Sequence, residues 1–187
     1  MIYPIVVYGS PVLRKVAKEI DKDYPELNKL IEDMFETMYA SEGVGLAAPQ
    51  IGKSIRLLVI DASEMEDEET GEKLYKDFKK VFINPKIVEE TGDKWNFAEG
   101  CLSLPKLRED VSRNSTVRIQ YYDENFEFHD ETYDDIPARV IQHEYDHLEG
   151  VLFIDHLSPL KKKLLKGKLN AISKLKVDTG YKIKVIK

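Results

Sequence analysis

Cysteine is almost absent: Cys101 is the only one in 187 residues, so no disulfide can form within the chain. No segment approaches the roughly 20 apolar residues needed to cross a bilayer, and no membrane partner is expected. Internal repeats and low-complexity linkers are also missing. The opening Met1–Tyr8 has no basic stretch ahead of an apolar run and no Arg- and Ser-rich character, so neither a signal nor a transit peptide is expected. With a lone thiol, this predicts a reducing, cytoplasmic setting. What remains is 42% hydrophobic and 33% charged, an ordinary mixture for a globular chain, and the length predicts one domain over residues 1–187.

The net charge of −6 is unevenly placed. Ten lysines and one aspartate between His156 and Lys187 carry +9, which leaves −15 on residues 1–155. A basic end on an acidic body suits either an anionic partner or a solvated lysine face.

Helical and extended patterns alternate. Pro11–Ala17 suggests a short helical turn. Asp23-Tyr24-Pro25 opens a helix whose stripe is Leu27, Leu30, Ile31, Met34 and Met38, ending near Ala40–Gly43. Ile55–Asp61 reads as a buried strand. Residues 62–80, with Glu64, Glu66, Asp67, Glu68 and Glu69 clustered, read as an exposed loop of little functional content. Strands are expected over Val81–Glu90, Thr116–Asp123 and Phe126–Tyr133, the last two joined at Asp123-Glu124-Asn125. Ser158-Pro159 caps a final helix with Leu160, Leu164, Leu165, Leu169, Ile172 and Leu175 on one side, and Tyr181–Ile186 alternates like a terminal strand. The class implied is α+β.

The chemistry concentrates in Gln142-His143-Glu144-Tyr145-Asp146-His147. Two histidines four apart share a helix face and can reach one metal ion, while Glu144, about 100° around, can touch its water. Ile136, Val140 and Ile141 turn that face inward. Asp134 or Asp135 can cap the start, Pro137 fits the first turn, and Gly150 suits the stop.

A catalytic site of this kind needs a third protein ligand. The spacing that places a histidine six residues after the second one meets Phe153 instead. A downstream glutamate fails too, because the acidic residues after His147 are Glu149, Asp155 and Asp178. Cys101, His129 and His156 remain. Cys101, in the compact Glu99-Gly100-Cys101-Leu102-Ser103-Leu104-Pro105, is the best of them, as an accessible thiolate.

These stretches, together with Gly43-Val44-Gly45-Leu46-Ala47-Ala48-Pro49-Gln50, resemble the three motifs of the peptide deformylases, in the same order. Pro49 stands where some of that family have Thr, next to the amide of Gln50, with little effect expected. The resemblance implies antiparallel and mixed sheets packed around a central metal-binding helix, with an N-terminal and a C-terminal helix. It implies removal of the formyl group from N-formylmethionine on nascent peptides. Cys101, His143 and His147 would bind one divalent ion, natively ferrous iron, with zinc, nickel or cobalt able to replace it. Glu144 would be the acid/base, with Gln50 and the Leu102 N–H stabilising the oxyanion.

The resemblance further implies a methionine pocket of Val44, Phe97, Ile136 and Val140, with Arg139 at its mouth. Gly45, Glu99 and Arg108 join it as substrate residues, and Arg113 braces the metal helix through an acidic partner such as Asp146. It is compatible with a monomer whose lysine-rich tail docks on the ribosome near the exit tunnel. The alternatives are a metalloprotease, which the absent downstream ligands disfavour, and a ribosome-bound protein with a structural metal. That second alternative has no second cysteine to close its site and no role for Glu144.

Overall fold

The computed structural model describes residues 1–67 and 69–187, and Glu68 of the acidic 62–80 loop lies outside the described residues. Seven strands and three helices are present among them: β1 (Ile5–Val6), α1 (Leu27–Ala40), β2 (Gly45–Ala47), β3 (Leu57–Asp61), β4 (Lys79–Cys101), β5 (Leu104–Tyr122), β6 (Phe128–Asp134), α2 (Asp135–Leu148), α3 (Pro159–Ser173) and β7 (Ile183–Lys184). Single 3-10 turns occupy Pro11–Arg14, Ala48–Ile51 and Phe153–His156. An antiparallel sheet runs β2-β3-β4-β5-β6, and β1 pairs in parallel with β7.

The strand β3 is apolar from Leu57 to Ile60 because both its faces are covered. Leu57 and Val59 join α1 residues Leu30, Met34 and Met38 in one cluster, and Leu58 and Ile60 join α2 residues Ala138, Ile141 and Leu148 in another. Strands buried on both sides lose the polar alternation of half-exposed ones. A third cluster joins Leu104, Leu107 and Val111 of β5 to Phe153, Leu165, Leu169 and Ile172. The fold is thus mixed α+β.

Several expectations need correction. Helix α1 begins at Leu27, not at Asp23–Pro25, because residues 21–26 form a turn. There Tyr24 N–H bonds Asp21 O, Asp23 N–H bonds the Asp21 carboxylate, and Glu26 adopts a left-handed conformation. The strands expected at Val81–Glu90 and Thr116–Asp123 are parts of the far longer β4 and β5. Register shifts at Ile83/Lys86, Ile87/Glu89 and Thr91/Lys94 break the period-two pattern that would have announced their length. In α3 only Leu165, Leu169 and Ile172 are buried, whereas Leu160 and Leu164 are 68% and 74% exposed and Leu175 lies beyond the helix end. At about 100° per residue, 160 and 164 lie well around the helix from 165, 169 and 172.

Candidate metal centre

The helix α2 carries His143, Glu144 and His147, and its two ends explain its placement. Pro137 sits in the first turn, where no N–H is needed. Asp134 occupies the cap position in extended conformation without a side-chain cap bond, and the Asp135 carboxylate accepts from Tyr75 Oη at 2.5 Å instead. At the other end Gly150 has φ 71°, with Gly150 N–H to His147 O at 3.4 Å and Val151 N–H to Asp146 O at 2.9 Å. This is the paired closure that a left-handed glycine permits. A Cβ on Gly150 would lie 2.8 Å from the backbone of Arg14, so the position admits no side chain.

Cys101 ends β4, and Leu102-Ser103 form the tight turn into β5. Its Sγ lies 3.4 Å from His147 Nε2, and one ligand atom each of Cys101, His143 and His147 fall within 4.8 Å of one another. A tetrahedral ion with bonds of about 2.0–2.3 Å needs donor separations of about 3.5 Å. The donor set therefore fits a divalent ion. His129 and His156 are elsewhere: His129 bonds Asp123 and stacks on Tyr121, and His156 bonds Asp146 at 2.8 Å.

Burial alone would lower His143, but hydrogen bonding to Cys101 and Glu99 holds it well above the usual imidazole range. Burial and the His143 charge push His147 well below it. Burial likewise raises the Glu144 carboxyl to about 7. Its Oε2 is buried with no hydrogen-bond partner among the described residues.

Close packing fixes what surrounds Glu144. A Cβ on Gly45 would sit 2.7 Å from both Cγ and Oε1 of Glu144, so β2 can pass only as glycine. Gln50 is oriented by its own loop: Oε1 accepts from Ala47 N–H at 2.9 Å, which turns Nε2 toward Ser103 Oγ at 3.2 Å and Cys101 Sγ at 3.6 Å. Pro49 lies in the first turn of the 3-10 segment, beside this arrangement and without disturbing it.

A cavity of about 680 Å³ opens over these groups. Val44, Phe97, Ile136 and Val140 give it apolar wall, and Gly45, Arg108, Leu102 and Gln50 also line it. Arg139 is not at the mouth. It is 2% exposed, donates to Val111 O and Trp95 O at 2.9 and 2.7 Å, and lies 4.5 Å from the Trp95 ring centre. Two backbone acceptors and an aromatic face draw it into the wall, and burial lowers its pKa.

Glu99 is also buried, with both oxygens on Arg113 (2.7 and 3.1 Å) and Oε2 at 3.7 Å from His143 Nδ1. Burial would raise its carboxyl, but hydrogen bonds with His143 and Arg113 bring it down to about 2. Arg113 reaches Asp146 Oδ2 at 2.8 Å, with Glu99 as a second partner that the spacing had not indicated.

Two cavity residues escaped the sequence reading. Met65 comes from the loop taken as uninformative, and Tyr181 arrives from the C-terminal segment. Neither lies in a recognisable pattern, because each is brought in by long-range packing. Ser103, inside the cysteine motif, anchors Gln50, a role its place in the motif did not indicate.

A family model described as "Polypeptide deformylase" matches residues 2–163. The peptide deformylase of Christiangramia forsetii is 56% identical over 98% of this chain and 96% of its own length. That of Flavobacterium psychrophilum is 52% identical over 100% and 98%. The crystal structure of a peptide deformylase from Legionella pneumophila superposes with a TM-score of 0.79 at 40% identity, covering 94% of this chain and 98% of that one. Among the described residues, no helix is long and apolar enough to cross a membrane.

Proposed function

The chain belongs to the polypeptide deformylase family, whose enzymes remove the N-formyl group from nascent peptides, and we propose that Cys101, His143 and His147 hold the metal of that reaction while Glu144 moves its protons. The observation that carries this reading is the convergence of a thiol and two imidazoles within 4.8 Å beside the buried Glu144 carboxylate, whose Oε2 has no partner among the described residues. A divalent ion bound there supplies an acidified water and a Lewis acid for the formyl oxygen. Glu144, with its carboxyl near 7, accepts the proton of the attacking water and returns it to the departing α-amine. Gln50 Nε2, with the amide fixed by Ala47, and the Leu102 N–H donate to the oxyanion.

The methionine side chain enters between Val44, Phe97, Ile136 and Val140. The Gly45 backbone and Arg108 receive the peptide, and Arg139 shapes the wall from beneath. Glu99 acts on substrate through His143, and Arg113 with Asp146 steadies the helix end. Ferrous iron is the proposed native ion, with zinc, nickel or cobalt as replacements. The enzyme is placed in the cytoplasm as a monomer, its α3 lysines meeting the ribosome near the exit tunnel.

Formate release from formyl-Met-Ala-Ser, set against the unformylated peptide, tests the reading. Glu144→Gln keeps the shape and removes the base, so release should fall by at least about 100-fold. Release that persists in Glu144→Gln would overturn the proton role.

A further inference from the structure

The family match ends at residue 163, yet the chain beyond it returns to the site. After α3, β7 pairs with β1 through Ile5 N–H to Lys182 O at 2.8 Å and Val7 N–H to Lys184 O at 3.0 Å, and Ile186 N–H bonds Ser10 Oγ at 3.0 Å. Ile183 packs against the apolar clusters below. Entering this strand, Tyr181 stands half-buried in the cavity wall, and its hydroxyl donates to the Leu102 carbonyl at 2.9 Å.

Leu102 and Ser103 are the turn between β4 and β5, so two peptide units there lack the support of a strand ladder. Each is anchored from outside. Ser103 O accepts from Tyr8 N–H at 2.9 Å, Ser103 Oγ accepts from Gln50, and Leu102 O accepts from Tyr181. A donor that stabilises a developing negative charge must be oriented before the charge appears, and small misplacements are costly. Fixing the Leu102 carbonyl limits how the turn can rock, and hence where the adjacent N–H points.

We propose that Tyr181 is a positioning residue for deformylation: its hydrogen bond to Leu102 O holds the Leu102–Ser103 turn in the orientation that aims the Leu102 N–H at the oxyanion. This rests on the role given to Leu102 above. The C-terminal strand is then a working part of the active site, although it lies outside the matched region.

Tyr181→Phe removes the hydroxyl and keeps the ring. With formyl-Met-Ala-Ser, kcat should fall about fivefold, as for one lost hydrogen bond, with KM changed less than about twofold. The thermal midpoint should fall by no more than about 4 °C, the loss expected of one hydrogen bond in a chain of this size, and inhibition by the product Met-Ala-Ser, which has no formyl oxygen, should be unchanged. An unaltered kcat would overturn the proposal. So would a kcat loss accompanied by a midpoint fall beyond that or by weaker product inhibition, which would make the hydroxyl a latch for the fold. If the wild type fails to release formate, the family reading and this inference fall together. If it succeeds and Tyr181→Phe matches it, only this inference falls.

Discussion

Gly45 separates the needs of the fold from those of the reaction. The missing Cβ leaves room for Glu144, a buried carboxylate on a packed helix that cannot swing aside. Gly45→Ala should therefore displace Glu144 by a fraction of an ångström and cut kcat by at least about tenfold. Metal content should be kept, because Cys101, His143 and His147 are not the atoms struck. Normal turnover in a metal-loaded Gly45→Ala enzyme would show that Glu144 does not need this position. Residue by residue, His143, Glu144 and His147 were legible because their relation is local to one helix. The placement of Arg139 was not legible, since its partners Val111 and Trp95 lie on strands far away in sequence.

Helix α3 shows the limit of pattern reading for an element. Six leucine-type residues suggested one apolar side, but the sheet receives only Leu165, Leu169 and Ile172. Leu165→Ala should cost about 2–5 kcal/mol, as deletions in a packed core do, while Leu164→Ala should shift stability by about 0.5 kcal/mol or less. Chemical denaturation of the two variants checks this, and equal losses would mean that both leucines are packed. In contrast, the α1 stripe was read correctly: Leu27, Leu30, Ile31, Met34 and Met38 are all buried. The difference is that the α1 stripe faces one core cluster along its length, whereas Leu160 and Leu164 lie around α3 from the buried Leu165, Leu169 and Ile172. The length of β4 escaped the sequence because bulges reset the alternation of side chains, and Thr91-Gly92-Asp93 reads like a turn while remaining in the strand.

Across the whole molecule, several carboxylates are held below their ordinary range. Glu99 is brought down to about 2 by His143 and Arg113 against burial, and Asp155 is lowered by Arg14 and the Leu152 N–H, also against burial. A carboxylate whose folded pKa is depressed contributes stability above its unfolded pKa and loses it as pH falls toward the folded value. The thermal midpoint should thus be insensitive to Glu99 above about pH 4.5 and fall between about 4.5 and 2. In Glu99→Gln the midpoint should start lower at neutral pH, because the buried Arg113 keeps only Asp146 of its two charged partners, and decline less steeply over that window. A midpoint for the mutant that tracks the wild type through the window would mean that Glu99 takes up no proton there.

At this scale, the sequence by itself determined the α+β class, the helix that carries His143, Glu144 and His147, the glycine stop at its end and the family resemblance. All of these depend on neighbours within a turn or a short motif. Only the tertiary structure decided that Cys101 meets His147, that Glu99 and Arg139 are buried, and that Met65 and Tyr181 reach the cavity. Those relations are made by β4, β5 and the β1–β7 pairing, whose contacts join residues too distant in the chain for any local periodicity to encode.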